Sequence, residues 1–247
     1  CSPDLLALLD LTALADDATE AGARALAARA VTPHGSVAAV CLWPRFVKTA
    51  EAALAGTGVK VATVVNFPHG GEDTRAVEAE TAAALADGAD EIDLVMPWRA
   101  FLATRPGFAE TQIVRVRRLC DGRARLKVIL ETGEIGDPEK IRAAADLALV
   151  AGADFVKTST GKVAVNATPE AVRILLEAVK ASGRPAGVKA AGGIRTLADA
   201  AGYLALVDEV MGPAWATPAT FRFGASGLLD ALLATLDGRP AASGAGY

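Results

Sequence analysis

Two lysines, Lys157 and Lys189, are the residues whose placement says most about the chemistry of this chain. Each ends a short apolar run typical of a β-strand, and each is followed by a glycine-containing loop. A parallel strand would direct these side chains into the protein interior, where charged residues are rarely fully buried without a partner. The pair predicts amine chemistry on a phosphorylated carbonyl compound.

A neighbouring cation can make a lysine nucleophilic. The usual pKa of lysine is about 10.4, so under about 0.1% is neutral at pH 7. Two ammonium groups roughly 5 Å apart repel by about 3 kcal/mol at an effective dielectric constant of about 20, which lowers the pKa by about 2 units. Burial acts in the same direction. Lys157 is then expected to attack an aldehyde, while Asp93 moves protons directly or through a water.

The three residues together predict aldol chemistry without a metal or an organic cofactor. His34 and His69 lack ligand-like spacing relative to carboxylates or cysteines, so we interpret His34 as a surface residue and His69 as a loop residue. A lone lysine near a strand end is usually a surface residue or a salt-bridge partner. Asp93 alone would usually be a cap or a lysine's partner, so the hypothesis depends on the combination.

Three glycine-containing loops predict phosphate recognition, because backbone N–H groups at the start of a helix bind anions and glycine permits close approach. They are Thr160-Gly161-Lys162, Gly192-Gly193-Ile194-Arg195, and Gly224-Ala225-Ser226-Gly227. Each loop alone is a weak signal, since tight strand-to-helix turns need glycine in any case. Their combination is stronger, because such loops converge on one point in an α/β barrel.

Alternating strand and helix patterns predict the fold that positions these residues. Eight strand-like runs occupy 36–42, 59–65, 91–96, 126–131, 154–158, 186–190, 207–211 and 220–224. Helical patterns occupy 45–55, 72–86, 108–120, 138–151, 169–181, 197–204 and 226–236. Eight such units in 247 residues favour a single (β/α)8 TIM barrel over 1–236. We expect an additional N-terminal helical segment, at 3–9 and 17–30, before the first strand, and a flexible tail at 237–247.

Composition favours a small-molecule partner. A net charge of -4 with dispersed charges gives no basic stripe for nucleic acid and no polybasic membrane patch. No apolar run reaches the roughly 20 residues that span a bilayer, and the first residues lack signal-peptide features. The three cysteines are far apart, which argues against a disulfide framework and favours a cytoplasmic setting. A homodimer through an exposed hydrophobic helix face is compatible with the sequence.

Separated motifs across nearly the whole chain closely resemble those of deoxyribose-phosphate aldolases, class I (Schiff-base) aldolases with a TIM-barrel fold. The most specific segments are FVKTSTGKVAVNATP at 155–169, NFPHG at 66–70, GADEIDLV at 88–95, ILETG at 129–133, DLT at 10–12 and FGAS at 223–226. Two positions depart from the family pattern: Ala190 stands where a proline usually follows the second lysine, and Gly227 replaces a second serine.

The resemblance implies roles for individual residues. Lys157 would form the Schiff base, Lys189 would lower its pKa, and Asp93 would order a water and relay protons. Tyr247, the last residue, would move the proton at the nucleophilic carbon. The remaining predicted substrate contacts, mostly to phosphate, are Asp10, Thr12, Cys41, Thr158, Gly161, Lys162, Gly192, Gly193, Arg195, Gly224, Ser226 and Gly227.

The resemblance also implies a reaction, the reversible cleavage of 2-deoxy-D-ribose 5-phosphate to acetaldehyde and D-glyceraldehyde 3-phosphate. Two alternatives remain open from the sequence. One is another Schiff-base aldolase, for instance one that acts on ketose phosphates. The other is a barrel that binds sugar phosphates without turnover.

Overall fold

The computed structural model describes residues 4–239 as a closed barrel of parallel strands. The strands are Leu9–Ala13 (β1), Ala39–Leu42 (β2), Lys60–Val65 (β3), Glu91–Val95 (β4), Arg125–Ile129 (β5), Phe155–Lys157 (β6), Gly187–Ala191 (β7) and Phe221–Ala225 (β8). Each strand pairs with the strands before and after it in the chain, and β8 pairs with β1. The predicted (β/α)8 TIM barrel is confirmed.

Helices follow the strands in the order that the sequence pattern predicts. They are Glu20–Arg29 (α1), Val47–Leu54 (α2), Thr74–Ala86 (α3), Trp98–Leu102 (α4), Pro106–Cys120 (α5), Thr132–Ile135 (α6), Pro138–Val150 (α7), Pro169–Ser182 (α8), Leu197–Met211 (α9) and Gly227–Leu236 (α10). The seven predicted helices correspond to α2, α3, α5, α7, α8, α9 and α10. The short α4 and α6 were missed because one turn or so carries too little periodicity to recognise. None of the helices in residues 4–239 is long and apolar enough to cross a membrane.

The predicted strand at 207–211 is wrong, because these residues form the last turn and a half of α9. Val207 and Val210 are buried. Their spacing of three residues places both on one face of a helix, although the valines had favoured a strand. The eighth strand is instead β1, most of which lies between the two predicted N-terminal helical segments at 3–9 and 17–30.

The predicted additional N-terminal helical segment is not confirmed. A single 3-10 turn, Leu6–Leu8, precedes β1, and α1 follows β1 as an ordinary barrel helix capped by Thr19, whose Oγ1 accepts the Gly22 N–H at 3.1 Å. The first half of the predicted strand at 36–42 is also wrong, because Gly35–Ser36 pairs with Val31–Thr32 in a small antiparallel hairpin.

The barrel interior divides into an apolar and a charged side. On the apolar side, a small cluster of Leu14, Ala39, Cys41, Ala62 and Val64 packs against Trp43 and Phe67. The other strands place charged side chains at successive registers, with Asp93 opposite Lys127 and Lys157 opposite Lys189. The main core lies outside the barrel, between strands and helices. The strands of a parallel sheet are buried on both faces, and here part of the face that lines the barrel interior carries charged side chains.

Candidate active site

Lys157 and Lys189 converge on one carboxylate inside the barrel. Lys157 ends β6, Lys189 is central in β7, and the two are register partners. Both Nζ atoms lie 2.8 Å from Oδ2 of Asp93 on β4. Asp93 and Lys189 are fully buried, whereas Lys157 is 3% exposed. The structure therefore brings together these three predicted residues and leaves Lys157 with the small remaining access to solvent.

Further charged residues extend this site into a buried network. Lys127 on β5 lies 2.8 Å from Oδ1 of Asp93, 2.6 Å from Glu91 and 3.3 Å from Asp10. Arg222 on β8 contacts Glu91 at 2.9 Å and Asp10 at 2.6 Å. All of these groups are buried. Because buried charges are tolerated only when they are paired, each one depends on its neighbours for stability.

The network contains one more cation than carboxylates. The cations are Lys127, Lys157, Lys189 and Arg222, and the carboxylates are Asp10, Glu91 and Asp93. With every group ionised there is one excess positive charge, so the loss of one proton balances the site. Lys157 contacts one carboxylate, Lys189 contacts two and Lys127 contacts three. Lys157 is the cation held least strongly in its charged form.

The pKa directions follow these contacts. Burial lowers the pKa of the Lys157 ammonium, Asp93 opposes that shift, and Lys189 adds to it. The sequence argument placed the repulsion by Lys189 first, whereas burial is the larger cause. Burial alone would lower the pKa of Lys189 and Lys127 too, but Asp10 and Asp93 raise both above the ordinary value. Burial alone would likewise raise the pKa of Asp93, yet the surrounding lysines hold it well below its usual range. Lys157 therefore loses its proton more readily than an ordinary lysine, and it lies beside Asp93, which stays ionised.

Sequence reasoning missed three members of the network. Lys127 interrupts the apolar run of β5, Arg222 lies between Phe221 and Phe223, and Glu91 opens β4. A charged residue inside an otherwise apolar strand was the available signal. It identifies a buried charge but not its partners, because these come from strands far apart in the sequence.

The residues predicted from the resemblance on β1 and β2 lie beside the network. Asp10 is fully buried, and its Oδ2 forms an ion pair with Lys189 Nζ at 2.7 Å. The Thr12 hydroxyl donates to the Asp10 carbonyl at 2.9 Å. Cys41 is fully buried in the apolar cluster, and burial raises the pKa of its thiol. Cys41 and Thr12 are register partners, so both occupy the same side of the barrel.

The loop after β6 is fixed by hydrogen bonds to its neighbours. The Thr158 hydroxyl accepts the Ala191 N–H at 3.1 Å, and the Gly161 N–H donates to Asn166 Oδ1 at 3.1 Å. Gly192 adopts φ +89°, and a Cβ atom there would lie 2.5 Å from Asn166 Cβ. Only glycine fits this close approach between the loops after β6 and β7.

The other predicted phosphate contacts lie at the same end of the barrel. Gly193 is exposed and also has positive φ, and the Arg195 N–H donates to Asp199 Oδ2 at 3.0 Å near the start of α9. Lys162 is exposed, with Nζ 4.0 Å from Asp16 Oδ1. Ser226 immediately precedes α10. These groups come from the loops after β6, β7 and β8.

Three further positions complete the account of the predicted site. Gly224 approaches the network, since a Cβ atom there would lie 3.0 Å from Lys189 Cε. Ala190 is fully buried in β7, and Gly227 is exposed with open space where a side chain would be. Tyr247 lies outside the described residues, as does most of the predicted tail.

Comparison with known proteins agrees with this geometry. The model of the DeoC/LacD family aldolases matches residues 5–232 of the chain. The chain belongs to this aldolase family. A deoxyribose-phosphate aldolase of Agrobacterium fabrum is 52% identical to our DeoC/LacD aldolase over 244 residues, which cover 98% of this chain and 94% of the relative. The predicted resemblance is confirmed.

Solved structures show the same likeness to this DeoC/LacD aldolase. The tetrameric deoxyribose phosphate aldolase from Aeropyrum pernix has a TM-score of 0.78 at 29% identity and covers 94% of this chain and 91% of its own. A second structure, QR15, an aldolase, has a TM-score of 0.80 at 30% identity and covers 95% and 98%. The family assignment makes the chain an enzyme of the aldolase class.

Proposed function

We propose that this aldolase cleaves 2-deoxy-D-ribose 5-phosphate reversibly to acetaldehyde and D-glyceraldehyde 3-phosphate through a Schiff base on Lys157. The relatives from A. fabrum and A. pernix are deoxyribose-phosphate aldolases, which supports the choice of substrate. The observation that carries the nucleophile is the asymmetry of the network, in which Lys157 alone among the three lysines has one carboxylate partner and a lowered pKa. A neutral amine is the form that attacks a carbonyl carbon.

Imine formation consumes the Lys157 amine and releases one water. Nζ bonds to C1 of the open-chain sugar, the carbonyl oxygen leaves as water after proton transfers, and the nitrogen carries the positive charge of a protonated imine. Asp93, 2.8 Å from Nζ, stabilises that charge and orients the amine. Lys189 donates to the same Oδ2 atom and keeps the carboxylate ionised.

Carbon–carbon cleavage follows from the electron demand of this imine. A water held by Asp93 accepts the proton of the C3 hydroxyl, the C2–C3 bond breaks, and its electron pair moves toward the imine nitrogen. D-Glyceraldehyde 3-phosphate leaves, and an enamine remains on Lys157. Because the pKa of Asp93 is held low, the carboxylate orders the water and relays the proton, which it does not keep.

The second half of the reaction returns the free enzyme. The enamine is protonated at C2, and water then hydrolyses the imine to release acetaldehyde and the Lys157 amine. Tyr247 is the proton donor that the family resemblance implies. The phosphate would be held by backbone N–H groups and side chains of the three loops, among them Lys162, Gly193 and Ser226.

Borohydride trapping with acetaldehyde tests the proposal. We expect a reduced two-carbon adduct on Lys157 by intact mass and peptide mapping, together with turnover of deoxyribose 5-phosphate on the same sample. Lys157→Leu should abolish both while the protein stays folded. The matched control is Lys140→Leu, because Lys140 is exposed on α7 away from the network.

Each failure of this test has its own meaning. An adduct without turnover of deoxyribose 5-phosphate would overturn the substrate and leave another Schiff-base aldolase reaction. The absence of an adduct on folded wild-type protein would overturn the Schiff base and favour a sugar-phosphate binding barrel. A retained adduct in Lys157→Leu would remove Lys157 as the nucleophile.

The wider setting is also part of the proposal. The products fit a role in nucleotide catabolism in the cytoplasm, and the homodimer with which the sequence is compatible stays a prediction. Sedimentation of the full chain checks the assembly, with a tetramer, as in the A. pernix relative, as the competing outcome.

A further inference from the structure

Glu131 is a buried carboxylate that the proposed reaction does not use. It lies just beyond β5, two residues after Ile129, and it is 1% exposed. Within residues 4–239, no ion pair involves this side chain. A buried carboxylate without a cation is costly, so its retention needs a specific partner. The sequence motif ILETG contains Glu131, but sequence reasoning assigned it no role.

The backbone of Glu131 is also unusual. Its φ and ψ are 61° and 57°, the left-handed region that a residue with a side chain seldom occupies. The conformation lets the chain turn from β5 into α6. A glycine would adopt it without strain, so the glutamate side chain offsets a backbone cost of about 1 kcal/mol or more. Such positions persist where surrounding structure requires them, and they are often at functional sites.

The partner of Glu131 is Thr160, three residues after Lys157. Thr160 donates its N–H to Oε1 at 3.1 Å and its hydroxyl to Oε2 at 2.7 Å. Both carboxylate oxygens are therefore used by one residue. The Thr160 hydroxyl oxygen in turn accepts the Lys162 N–H at 3.0 Å. A continuous set of hydrogen bonds thus runs from Glu131 through Thr160 to the backbone of Lys162.

The same loop is fixed from its other side. Gly161 donates to Asn166, and Gly192 packs against Asn166 so closely that no other residue fits. Gly133, two residues after Glu131, would collide with the Val165 carbonyl oxygen if it had a Cβ atom. The turn containing Gly161 and Lys162 is therefore held between the ends of β5 and β7. On the β5 side, the Glu131 carboxylate accepts the two hydrogen bonds from Thr160.

We propose that Glu131 is a positioning residue for phosphate recognition, whose carboxylate holds Thr160 and thereby fixes the 160–162 turn, so that the exposed Lys162 side chain is placed to bind the substrate phosphate. The inference rests on the proposed function. Hydrogen bonds to a charged group are about twice as strong as neutral ones, which suits a carboxylate to this task better than an amide. Glu131 holds the loop at the phosphate end of the substrate, whereas Asp93 contacts the Lys157 amine, where the imine forms.

Steady-state kinetics with paired substrates test the role. We expect Glu131→Met to lower kcat/KM for deoxyribose 5-phosphate about tenfold more than for unphosphorylated deoxyribose, mainly through KM, since two hydrogen bonds to a charged acceptor are lost. Glu131→Gln, which keeps one acceptor, should show a smaller loss of the same kind. Thr160→Val provides a second variant if Glu131→Met does not fold. The matched control is Glu134→Gln, which changes an exposed carboxylate on α6, the short helix that Glu131 precedes.

Acetaldehyde trapping separates positioning from general disruption. Acetaldehyde has no phosphate, so the rate of adduct formation on Lys157 should change by less than about twofold in the Glu131 variants. Equal losses on both substrates, or slower trapping in parallel with turnover, would overturn the role in phosphate recognition. An unchanged ratio in folded variants would overturn it too. If the wild type itself shows neither adduct nor turnover, the proposed function fails first, and the two failures are thereby distinguished.

Discussion

Lys157 pairs with Asp93 alone among the described carboxylates, at 2.8 Å from Oδ2, and the same oxygen also accepts from Lys189. One oxygen atom thus serves two ammonium groups. Lys189 has a second carboxylate in Asp10, whereas Lys157 has none. This unequal sharing explains why burial and repulsion lower the pKa of one lysine while the pKa of the other is raised.

Removing the second lysine should shift the pH dependence of turnover upward. Lys189→Leu deletes a cation that lowers the pKa of Lys157 and leaves Asp93 more available to raise it. The neutral amine then appears only at higher pH, so we expect the acid limb of the kcat/KM profile to rise by about 2 pH units. At pH 7 the rate should fall about a hundredfold and recover partly in alkali. An unchanged profile in the folded variant would contradict the electrostatic role, and Lys140→Leu is the control.

The ion pair of Arg222 and Glu91 should tune the same profile with opposite signs. Arg222→Met removes a positive charge from the network and should raise the pKa of Lys157, moving the acid limb up by about one pH unit. Glu91→Gln removes a negative charge and should move it down by a similar amount. A variant with both changes keeps the one-charge excess, so its profile should return toward wild type.

Folding must be checked in these variants, because breaking a buried pair costs about 3–5 kcal/mol. Circular dichroism at low temperature would identify the folded samples. Shifts of the same sign in Arg222→Met and Glu91→Gln would count against charge balance and in favour of a general loss of geometry.

Stability should decrease in acid because of the buried carboxylates. The lysines hold the pKa of Asp93 below its value in the unfolded chain, and Lys127 and Arg222 contribute in the same way for Glu91. The unfolded state therefore binds more protons near and below pH 4, and the stabilisation present at neutral pH is lost as pH falls through the unfolded values toward the folded ones. Urea midpoints measured from pH 7 to pH 3 should fall steeply below about pH 4.5. A flat series over that range would be inconsistent with the ionised network.

Alanine at two adjacent glycines should separate steric contact from backbone strain. Gly192 and Gly193 both have positive φ, at +89° and +81°, so alanine is strained at either position. A Cβ atom at Gly192 also meets Asn166, whereas one at Gly193 has nothing within 4 Å. We expect Gly192→Ala to cost about 2 kcal/mol more in unfolding free energy than Gly193→Ala. It should also raise KM for the phosphorylated substrate, because Asn166 holds the Gly161 N–H. Equal effects of the two changes would argue against the packing role.

The sequence by itself determined the alternation of strand and helix, the barrel, and the strands that carry Lys157, Lys189 and Asp93. The strands and helices behind these features can be predicted locally, because the hydrophobic periodicity and the composition of each segment indicate its secondary structure. The N-terminal segment at 3–9 and the segment at 207–211 were misassigned for the same reason. A short apolar run fits either a buried strand or a helix face, and only closure of the sheet decides between them.

Tertiary structure alone decided which charges meet. Asp10 and Arg222 are 212 residues apart in the chain and 2.6 Å apart in space. Barrel closure brings β1 beside β8, and no local pattern records that distance. The pKa direction at Lys157 depends on burial and on the number of carboxylates around each lysine, and the fixation of Thr160 by Glu131 depends on loops from two strands. Residue types therefore indicated amine chemistry on Lys157, and the three-dimensional count of carboxylate partners gave the physical reason for preferring Lys157 to Lys189.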